Sequence, residues 1–350
     1  MYTTIHSALL MWYDQHRRVL PWRAPSGGVP NPYHVYLSEV MLQQTTVATV
    51  CGYFNQFIAK WPTVSDLAAA SLDEILVAWQ GLGYYRRARH LHETVRKVAA
   101  LPEWPQTVAA LKQLPGVGDY TAAAVAAIAF NQPTVPVDGN VMRVMARLEG
   151  LTGTMPTLKK GVIKRVQPFA ELGRAGDFAQ ALMDLGATIC RPQNPTCVQC
   201  PLRQNCYAYA HHAQAMLPTR AAKAAKPTRY GAAFVMANPQ GEILLRRRPH
   251  TGLLAGMIEV PGTEWTEGPI RLPSFAQQWL PLTPSVHHTF THFHLHLTVY
   301  YRCLADYVPK EGEFWAAPTQ FPRYALPTVM KKVLAATRRV WYSHNNGENI

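Results

Sequence analysis

Four of the chain's six cysteines fall within one short, proline-rich stretch, CRPQNPTCVQCPLRQNC, at residues 190–206. Their spacing is C-x6-C-x2-C-x5-C. Thiols this close together fix a loop when they share a disulfide or a metal centre. A disulfide is disfavoured, because the sequence indicates a reducing compartment. Four thiolates hold either a zinc ion or a [4Fe–4S] cluster. Zinc sites usually have two close pairs, and this stretch has one.

The composition favours a nucleic-acid partner and argues against a membrane. The formal net charge is +13, from 34 Lys and Arg against 21 Asp and Glu, and the excess is positive on both sides of residue 225. Such a basic surface attracts polyanions. No apolar run approaches the roughly 20 residues that cross a bilayer, and the N-terminal residues lack the basic start of a signal peptide. We therefore expect a cytoplasmic protein without a membrane partner.

Residues 114–130, LPGVGDYTAAAVAAIAF, predict a helix–hairpin–helix together with the short helical segment TVAALKQL upstream. Gly116 and Gly118 allow a tight turn and let its backbone, including Val117, approach a ligand closely. The next helix begins there, and its unpaired N–H groups and positive dipole end favour an anion. The stretch therefore predicts a hairpin that holds a DNA phosphate without reading the base sequence.

Two acidic residues lie in apolar surroundings, Glu39 in SEVMLQQT and Asp138 in VPVDGNVMRV. Carboxylates are rarely buried in apolar surroundings without a partner or a function. Asp138, directly before Gly139, is also a candidate helix cap. Together the two acids suit the cleavage of a glycosidic bond. A buried acid with a raised pKa protonates the departing base, and an ionised one stabilises the positive charge that develops on the sugar.

These segments, with PWR at 21–23 and GLGYY at 81–85, follow one another in order over residues 1–210. They resemble the MutY-type adenine DNA glycosylases of the endonuclease III-like helix–hairpin–helix superfamily. The resemblance implies a mainly α-helical N-terminal region and an enzyme that flips out and removes adenine mispaired with 8-oxoguanine or guanine, in base-excision repair. It implies a monomer in the bacterial nucleoid whose partner is double-stranded DNA containing that mispair. It also implies one [4Fe–4S] cluster held by Cys190, Cys197, Cys200 and Cys206.

The resemblance further implies roles for single residues at the reacting bond. Glu39 protonates the adenine, Asp138 stabilises the sugar cation, and Asn140 and Tyr120 lie beside that centre. Tyr120 stands where bifunctional members carry a lysine, whose amine cuts the DNA backbone through a Schiff base. A tyrosine cannot form one, so we expect a monofunctional enzyme.

Other residues are implied to contact the DNA itself. Leu82 and Tyr84 match positions that wedge into the duplex when a base is extruded, beside the basic residues that follow them. The pocket for the flipped adenine is lined by Trp22, Arg23, Gln44 and Gln180.

The pattern changes after about residue 228. YGAAFVMANPQGEILLRRRP predicts a β-hairpin, HTFTHFHLHLTVYYRC predicts a longer strand, and helical segments are expected near 272–280 and 325–340. This small α/β domain resembles the Nudix fold, but the acidic box of paired glutamates is absent, so nucleotide hydrolysis is not expected. Relatives read 8-oxoguanine with a Phe-Ser-His turn. The matching residues here are Phe290, Thr291 and His292, and the threonine keeps the hydroxyl while adding a methyl group.

We therefore expect a helical lobe with the iron–sulfur loop at 1–24 and 134–215, and a six-helix lobe with the hairpin at 25–133. A linker at 216–228 and a Nudix-like domain for recognition of the opposite base at 229–350 complete the chain. Two alternatives stay open: a bifunctional glycosylase–lyase acting on oxidised bases, and a non-catalytic iron–sulfur protein that binds DNA.

Overall fold

The computed structural model describes residues 2–219 and 225–338. The chain divides into two compact units, one of residues 1–69 with 90–222 and one of residues 70–89 with 223–350. The finer division into two helical lobes stays a prediction. Part of the predicted linker, residues 220–224, and the last residues of the predicted C-terminal domain and of its final helical segment, 339–350, lie outside the described residues.

The first unit is built from α-helices joined by short loops. In chain order the helices before the sheet are α1 (Tyr2–His16), α2 (Pro32–Leu42), α3 (Val47–Lys60), α4 (Val64–Ala69), α5 (Leu72–Ala78), α6 (Arg86–Ala99), α7 (Val108–Leu111), α8 (Asp119–Phe130), α9 (Gly139–Glu149), α10 (Thr157–Ala170), α11 (Ala175–Thr188) and α12 (Tyr207–Ala210). Of these, α5 and the first turn of α6 belong to the second unit.

The starts of two helices fix the backbone around the predicted site. At α2, the Asn31 side chain accepts a hydrogen bond from the Tyr33 N–H at 2.9 Å, and Pro32 occupies the first turn. At α9, the Asp138 side chain accepts from the Val141 N–H at 2.7 Å. The predicted helix cap at Asp138 is therefore present in the structure.

Helix α11 lies at the centre of the first unit and packs on α1, α8 and α9. Its contact with α9 depends on Gly186, because a Cβ atom there would lie 2.6 Å from the Cβ of Asn140. The close approach brings the N-terminal turn of α9, with Asp138 and Asn140, against α11. The helix ends at Thr188.

The cysteine-rich stretch follows α11 as an irregular loop. Two 3₁₀ turns, Cys197–Gln199 and Arg203–Asn205, precede α12. The loop folds back on itself, since the Thr196 N–H donates to the Ile189 carbonyl at 3.1 Å. Its prolines disfavour a longer helix here.

The second unit contains a mixed sheet, six-stranded over the described residues, in the order β3-β2-β1-β5-β4, with β6 paired to β2. Strands β1 and β5 run parallel and the other pairs are antiparallel. The strands are β1 (Thr228–Ala237), β2 (Ile243–Arg247), β3 (Ile258–Glu259), β4 (Leu280–Thr289), β5 (His294–Cys303) and β6 (Glu313–Ala316).

Both faces of the sheet are covered, because residues of β1 alternate between two clusters. Val235 faces the cluster that includes Val329 and Val333 of α13 (Thr328–Ala336), and Phe234 faces the one that includes Trp279. Two 3₁₀ helices, Ser274–Gln278 and Pro318–Arg323, flank the sheet. The helical segments predicted near 272–280 and 325–340 thus correspond to a short 3₁₀ helix and to α13.

The predicted long strand HTFTHFHLHLTVYYRC is instead two strands and a turn. β4 ends at Thr289 and β5 begins at His294. The Phe290 N–H donates to the Phe293 carbonyl at 2.9 Å and closes the turn. Alternation of apolar residues continues through this tight connection, which is why the sequence pattern did not reveal it. No helix in the described ranges is long and apolar enough to cross a membrane.

Candidate active site

Glu39 lies on α2, a helix that is buried along most of its length. Only 6% of Glu39 is exposed, and burial raises the pKa of its carboxyl to about 7. The nearby charge of Asp138 acts in the same direction, whereas a hydrogen bond from Tyr120 and the charge of Arg23 act against it. A carboxyl with this pKa is partly protonated at neutral pH and can donate a proton.

Tyr120, in the first turn of α8, connects the hairpin to Glu39. Its hydroxyl donates to Glu39 Oε2 at 2.9 Å. Burial, followed by the negative charges of Glu39 and Asp138, raises the pKa of the Tyr120 hydroxyl well above its usual value. The phenol therefore stays protonated and acts as a hydrogen-bond donor.

Asp138 is surrounded by donors that favour its ionised form. Its two oxygens accept from the Val141 N–H at 2.7 Å and from the Asn140 side-chain amide at 2.9 Å. Burial raises the pKa of Asp138, and these donors together with the charge of Arg143 oppose the rise. Compared with Glu39, Asp138 has more partners that stabilise a carboxylate.

Arg143, which the sequence analysis did not single out, joins this centre to the cysteine loop. Its guanidinium donates to Asn140 Oδ1 at 2.7 Å, to the Gly186 carbonyl at 2.8 Å and to the Cys190 carbonyl at 2.7 Å. One turn further along α9, the buried Arg147 donates to the Arg191 carbonyl at 2.8 Å and approaches Cys190 Sγ at 3.5 Å. In the sequence, the feature that could have pointed to these two residues is their spacing of four positions in a mostly apolar helix.

A small cavity of about 50 Å³, here called the base cavity, lies beside Glu39. Predicted pocket residues Trp22, Arg23 and Gln180 line it together with Glu39. Gln44 lies outside this lining; it is exposed and has a left-handed backbone with φ of 60°. One water needs roughly 10–15 Å³ of such space, so the base cavity holds a few waters and is too small for a purine.

Asp184, also missed from the sequence, holds Arg23 in the cavity wall. The Arg23 guanidinium donates to both Asp184 oxygens, at 2.6 and 2.8 Å, and Arg18 donates at 2.6 Å. Asp184 is fully buried, and despite this burial its bonds with Arg23 keep its pKa below the usual value. It lies one turn after Gln180 on α11, so both side chains project from the same face.

The hairpin has the geometry expected of a helix–hairpin–helix. Gly116 has φ of +67°, and a Cβ atom there would lie 2.3 Å from the His90 ring, so only glycine fits. Gly118 caps α8 without a side-chain bond, and Val117 lies between the two glycines. The first N–H groups of α8 have no acceptor within the helix, which makes this end suitable for an anion.

The four cysteines of the loop are half-buried and act on one another electrostatically. Burial raises the pKa of Cys197 and Cys206, and that of Cys200 to about 12, with further rises from neighbouring cysteine thiols. Within residues 2–219 and 225–338, no three or more His, Cys, Asp or Glu side chains form a group that could hold a single metal ion.

In the second unit, the turn after β4 presents Thr291 and His292 to solvent. Phe290 packs inward, with ring centroids 5.6 Å from Trp265 and 4.8 Å from Phe293. The Thr291 hydroxyl lies 2.5 Å from the hydroxyl of Tyr84.

The two predicted wedge residues differ in exposure. Tyr84 is 40% exposed and has φ of 49°, whereas Leu82 is only 5% exposed. The structure thus brings Tyr84 to the turn at 290–292 and leaves Leu82 packed within the protein.

Comparison with known proteins agrees with this architecture. Residues 37–167 match the HhH-GPD superfamily of base excision DNA repair proteins, and residues 232–336 match the NUDIX domain. A solved thermostable thymine-DNA glycosylase is 29% identical, with a TM-score of 0.52, over 60% of this chain and 97% of that one. The predicted fold class, a helical endonuclease III-like region followed by a Nudix-like domain, is confirmed.

Two curated relatives extend over nearly the whole chain. The adenine DNA glycosylase of Rattus norvegicus is 37% identical over 99% of this chain and 79% of its own length. That of Homo sapiens is 37% identical over 95% of this chain and 73% of its own length. The chain therefore belongs to the adenine DNA glycosylase family.

Proposed function

We propose that this protein is a monofunctional DNA glycosylase that flips adenine out of a mispair with 8-oxoguanine or guanine and excises it in base-excision repair. The observation that carries the proposal is the pairing of Glu39 with Tyr120 beside the base cavity, with Asp138 close enough to raise the pKa of Glu39. Family membership supports the excision of adenine from DNA.

Glu39 is the general acid in this proposal. The bond to be broken joins C1′ of the deoxyribose to a ring nitrogen of adenine, and the base leaves readily only after it is protonated. A carboxyl with a pKa of about 7 retains its proton at neutral pH often enough to supply it. The Tyr120 hydroxyl then stabilises the carboxylate that forms.

Asp138 is the anion that faces the sugar. As the base leaves, positive charge develops on C1′ and the ring oxygen, and a fixed carboxylate stabilises it. The donors on Asp138, from Val141 and Asn140, favour its ionised form. Two carboxyls in different surroundings thus divide the acid and the electrostatic roles.

Tyr120 supports a hydrolytic reaction that leaves the DNA backbone intact. A phenol that donates to Glu39 offers no amine for a Schiff base. Water is then the nucleophile at C1′, and the product is an abasic site. This favours the monofunctional reaction over the bifunctional alternative.

The four cysteines fit a [4Fe–4S] cluster in number, burial and mutual proximity. Once bound, the cluster would cross-link the loop through iron–thiolate bonds. Arg143 and Arg147 would hold that loop against α9.

In this proposal DNA is held and read by separate parts of the chain. The hairpin at Gly116, Val117 and Gly118 binds a phosphate. Leu82 and Tyr84 enter the duplex, and the turn of Phe290, Thr291 and His292 reads the base opposite adenine. Because Leu82 is only 5% exposed, its insertion requires the loop at 81–85 to move. The proposal includes a monomer in the bacterial nucleoid.

The test uses duplexes with a labelled adenine strand opposite 8-oxoguanine, guanine or thymine. After incubation, heating in alkali converts abasic sites to strand breaks. We expect breaks opposite 8-oxoguanine and guanine, none opposite thymine, and none before alkali. Glu39→Gln should bind the mispair and release no base, while Glu171→Gln, at an exposed glutamate, should act as wild type.

Breaks without alkali would favour the bifunctional alternative. An intact adenine strand with all duplexes, together with tight DNA binding, would favour a non-catalytic iron–sulfur protein that binds DNA.

A further inference from the structure

A second cavity lies behind the base cavity and shares part of its wall. It measures about 440 Å³ and is here called the rear cavity. Five residues line both cavities: Trp22, Arg23, Val35, Ile128 and Gln180. The two spaces are therefore separated by one layer of side chains.

The direction of α8 places the rear cavity away from the DNA-binding hairpin. Gly118 caps the N-terminal end of α8, and Tyr120, in the first turn, contacts Glu39. The rear cavity is lined by the other end, residues 127–131. A helix of 12 residues spans roughly 18 Å. The base cavity reaches from Glu39, which contacts the first turn of α8, to Ile128, and the rear cavity continues from Ile128 along the C-terminal end of the helix.

The shared wall has one fixed part and one less constrained part. Arg23 is fixed by two short hydrogen bonds to the buried Asp184. Gln180 is held by a single 3.2 Å bond from its amide nitrogen to the Gly176 carbonyl. Its carbonyl oxygen has no hydrogen-bond partner among the described residues, although the residue is 8% exposed. Trp22 makes an edge contact with Phe54. Movement of Gln180 and Trp22 would join the two cavities.

The size and polarity of the rear cavity suit a free purine base. Its volume falls in the range of about 300–1,000 Å³ that is typical of small-molecule sites. Gln180 and Asp177 on its wall offer acceptors for the exocyclic amine of adenine. The base cavity, at about 50 Å³, is too small to hold the free base.

We propose that excised adenine leaves through the rear cavity while the enzyme still holds the abasic DNA. The inference rests on the proposed function. Once the bond to C1′ is broken, the sugar and its phosphates still occupy the front of the site. Once Gln180 and Trp22 move, the free base can pass between them into a space that can accept it.

The experiment fills the rear cavity without touching the base cavity. Ala129 is half-buried at the end of α8 and lines only the rear cavity, so Ala129→Trp narrows it. Ser26→Trp does the same from an exposed loop and leaves the helices intact. Ala68→Trp, at a half-buried alanine of α4 that lines neither cavity, is the matched control.

Excess enzyme acts on a bead-bound adenine:8-oxoguanine duplex that carries tritium in the adenine. Alkali-labile sites report bond cleavage, and tritium in the flow-through reports base release. In wild type and Ala68→Trp, tritium should leave while the enzyme stays on the beads. In Ala129→Trp and Ser26→Trp, cleavage should stay within twofold of wild type, and base release should be at least tenfold slower.

Wild-type release rates in either folded variant would overturn the proposal, as would tritium that leaves only together with the enzyme. Lack of alkali-labile sites with the wild-type protein would instead refute the proposed function itself. The two failures are therefore distinguishable.

Discussion

The Tyr120 hydroxyl donates a hydrogen bond of 2.9 Å to Glu39 Oε2, although 81 residues separate the two in the chain. This contact joins α8, which begins at the hairpin of Gly116 and Gly118, to α2, which carries Glu39. Burial raises the pKa of Glu39 to about 7, and the bond from Tyr120 opposes that rise. The protonation of Glu39 is therefore set by a balance between its surroundings and this one donor.

The rate of base excision should fall with rising pH on the alkaline side. In the proposed function Glu39 acts in its protonated form, and its pKa is about 7. Above that pH the single-turnover rate should drop about tenfold per pH unit. At low pH the rate should also fall, because Asp138 must be ionised and its pKa is raised. A rate that stays constant from pH 6 to pH 9 would contradict the assignment of Glu39 as the acid.

Tyr120→Phe should move the alkaline limb of this profile to higher pH. The tyrosine hydroxyl stabilises the ionised form of Glu39, so its removal raises the pKa further. A hydrogen bond to a charged group is worth about 1.5–3 kcal/mol, which corresponds to a shift of about one to two pH units. Single-turnover rates across the pH range measure the shift. A limb displaced to lower pH would mean that Tyr120 acts in another way.

Asp184→Asn should move the same limb in the opposite direction. The substitution removes the charge that balances Arg23, whose positive charge already lowers the pKa of Glu39. Glu39 then loses its proton at lower pH. Breaking a buried ion pair also lowers the free energy of unfolding by about 3–5 kcal/mol, which urea titration can measure. A destabilised variant with an unchanged pH profile would show that Asp184 has only a structural role.

Arg143→Met should slow base excision while the iron content stays close to that of wild type. The change removes the donor to Asn140 and a charge that favours ionised Asp138. It also leaves the Gly186 and Cys190 carbonyls without this partner, at about 1–3 kcal/mol for each buried group. We expect a rate loss of about tenfold or more and an acid limb at higher pH. Iron analysis of the purified protein is the control. Equal losses of iron and activity would mean that Arg143 acts by holding the cysteine-rich loop and not through Asn140 and Asp138.

Thr291→Val should reduce the preference for 8-oxoguanine over guanine opposite adenine. Valine keeps the shape of threonine and removes only the hydroxyl. One hydrogen bond is worth about 0.5–1.5 kcal/mol, so the ratio of the two excision rates should fall up to about tenfold. Thr291→Ser retains the hydroxyl and should keep the ratio. Equal ratios in all three proteins would exclude this hydroxyl from reading the opposite base.

The local features of the site were accessible from the sequence because local chemistry determines them. Asp138 before a glycine predicted a helix cap, and glycines 116 and 118 predicted the hairpin. The partners of Arg23 and Arg143 were not accessible. Asp184 lies 161 residues from Arg23, and the Cys190 carbonyl lies 47 residues from Arg143. Such pairs follow from the packing of α11 against α9 and against the segment between α1 and α2, and they leave no periodic signal in the chain.

The Thr291 hydroxyl has a partner within the protein, since it lies 2.5 Å from the hydroxyl of Tyr84. In the proposed function, contact between Thr291 and the opposite base is an exchange and not a simple gain, because the bond to Tyr84 must break as the new one forms. An opposite base that forms only a weak hydrogen bond with Thr291 leaves the contact between Thr291 and Tyr84 intact. In the proposed function, the contact between Thr291 and Tyr84 would therefore set the minimum interaction that the opposite base must offer before adenine is excised.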